Sequence, residues 1–144
     1  MLNFTHIFKE KKLKLTPQRI AVYKYLCSTT EHPSAEAIYK ALQEDYPTMS
    51  LATVYKTLKV LVSVNLIQEL NVGEGNFRYD ANVEPHPHIQ CIECSKVDDI
   101  CDVSFTHLNN EITKYTNYDV LFNRVYFYGL CNECKNKMNT DEES

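Results

Sequence analysis

The stretch "SLATVYKTLKVLVSVNLIQELNVGEGNFRYD", Ser50 to Asp80, decides the fold of the N-terminal half. It opens with serine, a preferred helix N-cap. Its apolar residues then fall on one helix face, at i, i+3, i+7 and i+10: Leu51, Val54, Leu58 and Leu61. Beyond Asn65, two short β-prone runs flank a Gly-Glu-Gly turn at 73–75, which is a hairpin signal. The stretch therefore predicts a helix followed directly by a β-hairpin.

Two further helices are predicted upstream of this stretch. Thr16 is a suitable N-cap for "TPQRIAVYKYLCS", with Pro17 at the first helical position, where its missing N–H is not needed. Ser34 caps "SAEAIYKALQEDY", and Pro47 prevents that helix from continuing. Three helices and a hairpin are the order of a winged helix-turn-helix, whose third helix enters the major groove. We therefore expect a DNA-binding domain over residues 1–79.

The charge distribution agrees with that expectation, although the net charge of −4 alone does not. Residues 1–79 hold ten Lys and Arg against seven Asp and Glu, whereas residues 80–144 hold five against twelve. Such asymmetry between the halves favours polyanion binding by the first half. Charge alone leaves a solvated helix face as an equal alternative.

The second half has a different pattern, because short β-prone runs flank one helical segment. The runs are "HIQCIEC" (88–94), "KVDDICDV" (96–103) and "YDVLFNRVYFYGLC" (118–131), and the helical segment is "FTHLNNEITKYTN" (105–117). A linker over residues 80–87 precedes a small α/β domain over residues 88–144. A unit of about 60 residues is small for independent stability, so we expect a stabilising cross-link such as a bound metal, a partner chain, or both. Residues 135–144 are polar and acidic and predict a frayed end.

The chain carries no signal for a membrane or for secretion. No apolar run approaches the roughly 18 residues of a membrane span, and "MLNFTHIFKEKKLK" lacks the apolar core and cleavage site of a signal peptide. We expect a cytoplasmic protein without a membrane partner. In that reducing compartment, the six cysteines favour metal ligation over disulfides.

Four of the cysteines form two Cys-x-x-Cys pairs separated by 36 residues. Two such pairs around a β-rich segment can supply four thiolates in a tetrahedron, the geometry of a closed structural zinc site. The predicted ligands are Cys91, Cys94, Cys131 and Cys134. A redox dithiol is the alternative, but the strand–helix context that it requires is missing. Cys27 and Cys101 are expected to be small buried apolar residues, the first on a helix and the second in a strand.

A second cluster combines histidines and carboxylates around the linker. His86 and His88, at i and i+2, point the same way in a strand. Asp80 lies upstream, and Asp99 lies in a strand that can pair beside the histidines. Imidazoles with carboxylates suit Fe(II), Mn(II) or Zn(II). A solvated or internally satisfied linker is the alternative, and His32 taken alone is more typical of a capping or surface residue.

Six motifs together resemble the ferric uptake regulator family in order and spacing, from about residue 10 to residue 135. They are "KLTPQR" (14–19), "HPSAEAIY" (32–39), "SLATVYKTL" (50–58), "FRYD" (77–80), "HPHIQCIEC" (86–94) and "YGLCNEC" (128–134). The resemblance implies a metal-dependent transcription factor that forms a homodimer. It also implies an α+β fold, with an N-terminal winged helix-turn-helix followed by a small α/β dimerisation domain.

The resemblance assigns metal ligands residue by residue. The four paired cysteines become the structural Zn²⁺ site. The regulatory site, for Fe²⁺ or Mn²⁺ with Zn²⁺ as a further candidate, takes its ligands from both halves: His32, Asp80, His86, His88 and Asp99. The resemblance thus gives His32 a role that its own surroundings in the sequence do not suggest.

The resemblance also implies which residues contact the DNA duplex, whose operator is expected to be an A/T-rich palindrome. Tyr55 and Lys56 match positions that face bases, and Lys14 matches one near the minor groove. The Tyr55 ring could lie against thymine methyl groups. Lys56, Lys59 and Arg19 are the candidates for phosphate or guanine contacts. Ser50 and Thr53 are also expected to contact the DNA.

The branch of the family is indicated by the regulatory carboxylates. Iron-sensing members tend to have glutamate at the positions of Asp80 and Asp99, whereas aspartate at both resembles the peroxide-sensing branch. In that branch bound Fe(II) reacts with peroxide, Mn(II) is inert, and His32 and His86 match the oxidised ligands. An iron- or zinc-responsive repressor of metal uptake genes is the alternative. It is disfavoured because Phe122-Asn123 replaces a histidine of a further metal site. A metalloenzyme or metal buffer would leave the winged helix without a purpose, so we expect no enzyme.

Overall fold

The computed structural model describes residues 2–142. The chain forms two compact units, and the boundary between them falls between Val83 and Glu84. Among the described residues, no helix combines the length and the apolar character needed to span a membrane.

The first unit contains four helices and a two-stranded sheet. In chain order these are α1 (Phe4–Glu10), α2 (Pro17–Cys27), α3 (Ala35–Leu42), α4 (Leu51–Ser63), β1 (Gln68–Asn71) and β2 (Phe77–Asp80). Helix α4 packs against α2 and α3, and its Val54 and Leu61 are fully buried in the core. The winged helix-turn-helix predicted for this half is therefore present.

Each of the three predicted helices starts at its predicted cap. The hydroxyl oxygens of Thr16, Ser34 and Ser50 accept hydrogen bonds from backbone N–H groups three residues later, at 3.1–3.2 Å. These bonds satisfy N–H groups that have no partner within the helix.

Helix α1 was not predicted. Asn3 caps it, accepting from His6 N at 3.1 Å, and its Phe8 is only 1% exposed. The rings of Phe4 and Phe8 lie 5.7 and 6.0 Å from that of Tyr23 in α2. The signal was available, because Phe4 and Phe8 stand at i, i+4 behind an asparagine.

The wing is the antiparallel pair β1–β2, with Gln68 opposite Asp80 and Asn71 opposite Phe77. The predicted Gly-Glu-Gly turn closes it, and both of its glycines adopt positive φ, 110° at Gly73 and 76° at Gly75. This geometry confirms the hairpin.

The second unit is a three-stranded sheet with two helices. Its elements are β3 (His88–Cys91), β4 (Val97–Asp99), α5 (Leu108–Thr113), β5 (Tyr126–Gly129) and α6 (Asn132–Glu142). The strand order is β4-β3-β5, with β3 antiparallel to β4 and parallel to β5. The connection between the parallel strands contains α5, as such a pair requires.

Two expectations for this unit are wrong. Cys101 is exposed and lies outside any strand, since β4 already ends at Asp99. The polar segment expected to fray is helical as far as Glu142 within α6, while residues 143 and 144 lie outside the described part. Helix α6 starts directly at the second cysteine pair, where Lys135 N donates to Cys131 O at 2.9 Å.

Candidate metal sites and DNA-reading face

The second unit brings its four paired cysteines together. Cys91 ends β3, Cys94 follows it in the turn to β4, and Cys131 and Cys134 lie at the start of α6. Their four sulfur atoms all lie within 4.8 Å of one another. The Sγ atoms of Cys94 and Cys131 are 3.8 Å apart, too far for a disulfide bond. A zinc ion with four sulfurs at about 2.3 Å requires sulfur–sulfur separations of about 3.8 Å.

The electrostatics of this cluster also fit a bound cation. Hydrogen bonds from the backbone amides of Cys131 and Cys94 lower the pKa of the Cys91 thiol to about 6. In contrast, hydrogen bonding with the neighbouring thiol of Cys131, together with desolvation, raises the pKa of Cys134 to about 12. Four adjacent thiols without a positive charge cannot all ionise. A divalent metal removes that conflict, so the donor set fits structural zinc.

The second unit also holds two histidines against one carboxylate. The Nε2 atoms of His86 and His88 lie 2.8 and 3.2 Å from the same oxygen, Asp99 Oδ1. Their rings are 4.3 Å apart, so the side chains point the same way, although only His88 belongs to β3. His88 and Asp99 are direct partners in the β3–β4 ladder. Asp98 points elsewhere and pairs with Lys96 at 3.7 Å.

The backbone carbonyl of Glu84 helps to orient His86. Its oxygen lies 2.6 Å from His86 Nδ1, which leaves Nε2 on the side of Asp99. A carbonyl that accepts from one ring nitrogen fixes the tautomer of a metal-binding histidine. Two imidazole Nε2 atoms and a carboxylate oxygen can thus serve as three ligands of one ion.

The first unit holds the other two candidate ligands side by side. His32 Nε2 lies 3.2 Å from Asp80 Oδ2, and the side chains are only 1% and 7% exposed. The other carboxylate oxygen of Asp80 accepts from Asn82 N at 2.9 Å. His32 is therefore not a surface or capping residue, which was the interpretation of its sequence position alone.

The backbone at His32 is strained and is held in place by the wing. His32 has φ 52°, a left-handed conformation that costs roughly 1 kcal/mol or more in a non-glycine residue. From β2, Arg78 Nη1 donates to His32 O at 3.2 Å and Tyr79 N donates to Pro33 O at 3.0 Å. The strand that carries Asp80 therefore also positions His32.

The sequence analysis did not identify Arg78, which contacts the backbone of the candidate ligand His32. A signal was present in "FRYD", because residues two apart in a strand share a face, and Arg78 stands two positions before Asp80. The residue type did not indicate a link with a metal site, since arginine does not bind metal.

The predicted DNA-contacting residues lie largely on the surface of the first unit. Tyr55, Lys56 and Lys59 project from α4 and are exposed. Ser50 caps that helix and also pairs with Thr53 through their hydroxyls at 2.9 Å. Arg19 is half-buried, and its Nη1 donates to the carbonyl of Lys14 at 2.9 Å.

A winged helix-turn-helix and a separate unit with cysteine and histidine–carboxylate clusters together define a class, the metal-binding transcription regulators. The sequence profile described as the ferric uptake regulator family matches residues 10–128, and the chain belongs to this family. Family members regulate transcription and are not enzymes, and Fur-family repressors bind DNA and form dimers.

The similar proteins narrow the relationship to one branch. The chain is 69% identical over 137 residues to the transcriptional regulator PerR of Clostridium acetobutylicum, covering 95% of this chain and 99% of that protein. Within the family it therefore lies in the PerR branch.

Two solved structures resemble it over most of their length. The ferric uptake regulator of Helicobacter pylori, described with three functional metal binding sites, has a TM-score of 0.76 at 26% identity, covering 92% of this chain and 89% of that one. PerR from Streptococcus pyogenes, described in terms of peroxide sensing and gene regulation, has a TM-score of 0.52 at 38% identity, covering 92% and 90%.

Proposed function

We propose that this chain is a metal-dependent, DNA-binding transcriptional repressor that senses peroxide through Fe(II)-catalysed oxidation of its histidine ligands. The observation that carries the proposal is a ligand set divided between two units. The first unit contributes the pair His32–Asp80, and the second contributes His86 and His88 against Asp99. The chain is also 69% identical to a PerR regulator. Its site of action, chromosomal DNA, would be in the cytoplasm.

The regulatory principle we propose is a clamp between the two units. Donors from both units on one ion would fix the orientation of the winged helix relative to the dimerisation domain. In a homodimer this sets the distance between two recognition helices, so that both half-sites of a palindromic operator are met together. A coupling of about 1–3 kcal/mol per site is typical, which gives roughly 10–10⁴-fold in operator affinity for two sites.

The peroxide response follows from the same ligands. The imidazoles and carboxylates would hold Fe(II), which would activate peroxide so that one of its oxygen atoms is added to an imidazole ring and the other leaves as water. Mn(II) in the same site would maintain repression and be inert. His32 and His86 are the proposed sites of oxidation. Oxidation of one imidazole removes a donor, so the ligand set loses the ion and the operator is released.

The four-cysteine cluster has a separate, structural role in this proposal. Zn²⁺ held by the four sulfurs would join the β3–β4 turn to the start of α6 and supply folding free energy to a small unit. Its closed, all-sulfur ligand set differs from the histidine–carboxylate set, which suits Fe(II) or Mn(II).

The homodimer is supported by apolar side chains on the second unit. Tyr115, Tyr118, Leu121 and Phe122, within eight positions of the sequence, are 70–86% exposed, and large exposed apolar patches on soluble proteins mark interaction sites. We propose that a second copy of the chain covers part of this surface.

The contact with DNA is assigned to α4 and to the start of α2. The exposed Tyr55 and Lys56 would face base edges, while Lys59 and Arg19 would contact phosphates or guanines. Lys14 would lie near the minor groove, and Ser50 and Thr53 would contact the backbone at the start of α4.

The experiment is operator binding with each metal, before and after peroxide. We expect the protein loaded anaerobically with Fe(II) to lose its operator after peroxide, and the protein loaded with Mn(II) to keep it. Metal-controlled binding that survives peroxide with both ions would instead indicate an iron- or zinc-responsive repressor. Absence of salt-sensitive affinity for any A/T-rich palindrome would contradict the repressor itself.

A further inference from the structure

A hydrogen bond joins the two helices of the helix-turn-helix at the surface that is proposed to face DNA. The hydroxyl of Tyr55, in α4, donates to the carboxylate oxygen Oε1 of Glu36, in the first turn of α3. Both residues are exposed, and Tyr55 retains 45% of its accessible surface. Glu36 therefore holds the hydroxyl end of Tyr55, the residue that is proposed to contact bases. The sequence analysis did not identify Glu36.

The chemistry of the two groups fixes which one donates, because an ionised carboxylate can only accept and the phenol carries the O–H. The hydrogen bond from Tyr55 lowers the pKa of the Glu36 carboxyl, and the same bond raises the pKa of the Tyr55 phenol. A lowered carboxyl pKa and a raised phenol pKa mean an ionised acceptor and a neutral donor. A phenol has one O–H, and in this arrangement that O–H is already used.

Glu36 is an exposed acid beside the residue that is proposed to contact bases. A carboxylate near DNA phosphates is repelled by them, so it reduces the affinity for DNA unless another contact that it makes compensates. Part of its presence is explained by α3, because an acidic residue in the first turn interacts favourably with the helix dipole. That explanation does not account for the bond to a residue on the neighbouring helix.

We propose that Glu36 is a positioning residue for base readout, an inference that rests on the proposed function. By accepting the Tyr55 hydroxyl, it holds the ring in one orientation. A ring in that orientation can lie against the C5-methyl group of thymine, which uracil lacks. A ring without this hydrogen bond, in Glu36→Ala or in Tyr55→Phe, would not be held at the methyl group.

The inference predicts which property of binding depends on Glu36. The preference for thymine over uracil, which differ only in the methyl group, should require the acceptor at residue 36. Burial of one methyl group corresponds to about a fourfold change in affinity. We therefore expect about fourfold weaker binding for each half-site in which the contacted thymine is replaced by uracil.

The test uses the metal-loaded, full-length dimer and the duplex that it selects from a random library. Thymidine is replaced by deoxyuridine at single positions, and the affinity ratio is measured for wild type, Glu36→Ala, Glu36→Gln and Tyr55→Phe. Glutamine removes the charge but keeps an oxygen that can accept from the phenol. Glu44→Ala, which removes an exposed acid of the same unit, controls for charge alone.

We expect the thymine preference to fall to near unity in Glu36→Ala and in Tyr55→Phe, and to persist in Glu36→Gln and Glu44→Ala. The double variant Glu36→Ala/Tyr55→Phe should lose no more than either single variant. An unchanged preference in Glu36→Ala, or an equal loss in Glu36→Gln, would overturn the inference while leaving the repressor intact. Failure of the wild type to select any duplex would overturn the proposed function as well. Tyr55→Phe keeps the test valid if Glu36→Ala does not fold.

Discussion

His32 Nε2 lies 3.2 Å from Asp80 Oδ2, and both side chains are almost completely buried. The two residues are 48 positions apart in the sequence, yet β2 brings them together, since it carries Asp80 and holds the His32–Pro33 backbone. A buried imidazole–carboxylate pair of fixed geometry would be a preorganised half of the proposed ligand set. The first unit would therefore offer its two donors without needing to refold.

The first prediction concerns Arg78, which holds the backbone of His32. Because Arg78 holds the carbonyl of His32 at 3.2 Å, Arg78→Met should free a strained backbone and misplace the imidazole. Loss of a group that orients a ligand typically costs roughly 10–100-fold in metal affinity, and we expect that loss for Mn(II) measured by titration calorimetry. Bound zinc should be unaffected. Lys40→Met, which removes an exposed cation from α3, is the control, and equal Mn(II) affinity in the two variants would contradict the assignment.

The second prediction separates the cysteines into two kinds. Cys134→Ser should abolish zinc binding and lower the thermal stability of the second unit, because a closed structural site loses one of its four thiolates. Cys101 is exposed and lies outside the cluster, so Cys101→Ser should change neither property. Zinc content by elemental mass spectrometry and thermal melts by circular dichroism provide the measurements. Retention of zinc in Cys134→Ser would exclude a four-sulfur site.

The third prediction concerns the product of the peroxide reaction. Protein loaded with Fe(II) and then treated with peroxide should gain one oxygen atom on the peptide that contains His32, on the one that contains His86, or on both. The peptides of His6 and His107 are internal controls, and protein loaded with Mn(II) should show no added oxygen. Peptide mass spectrometry measures all four. Addition on the control peptides to the same extent would indicate unspecific oxidation.

Most of the N-terminal fold could be predicted because its signals are local. Thr16, Ser34 and Ser50 each mark a helix start by their own chemistry, and the Gly-Glu-Gly turn requires conformations that glycine adopts readily. Helix α1 was missed because its signal is short, a single i, i+4 pair of phenylalanines behind Asn3 in a seven-residue helix, and α6 was missed because its polar sequence has no apolar stripe. The start of α6 is marked instead by the hydrogen bond from Lys135 N to Cys131 O, which the sequence pattern does not predict.

The candidate sites were predictable in part. The spacing of the four cysteines and the register of His88 with Asp99 follow from pattern and strand pairing. The burial of His32 does not, because it depends on β2 folding back over the His32–Pro33 turn. Arg78 and Glu36 were also missed, since each makes its hydrogen bond with a residue distant in the sequence. Only the structure brings these pairs together.

The most direct test of the clamp is the operator affinity of His32→Ala and Asp99→Ala with and without Mn(II). Each variant removes one donor from a different unit, and unchanged zinc content and thermal melts would establish that both remain folded. We predict that Mn(II) raises the operator affinity of wild type by roughly 10–10⁴-fold and has almost no effect on either variant. If both variants bind the operator as tightly as wild type and respond as strongly to Mn(II), a single ion does not join the two units and the account is wrong.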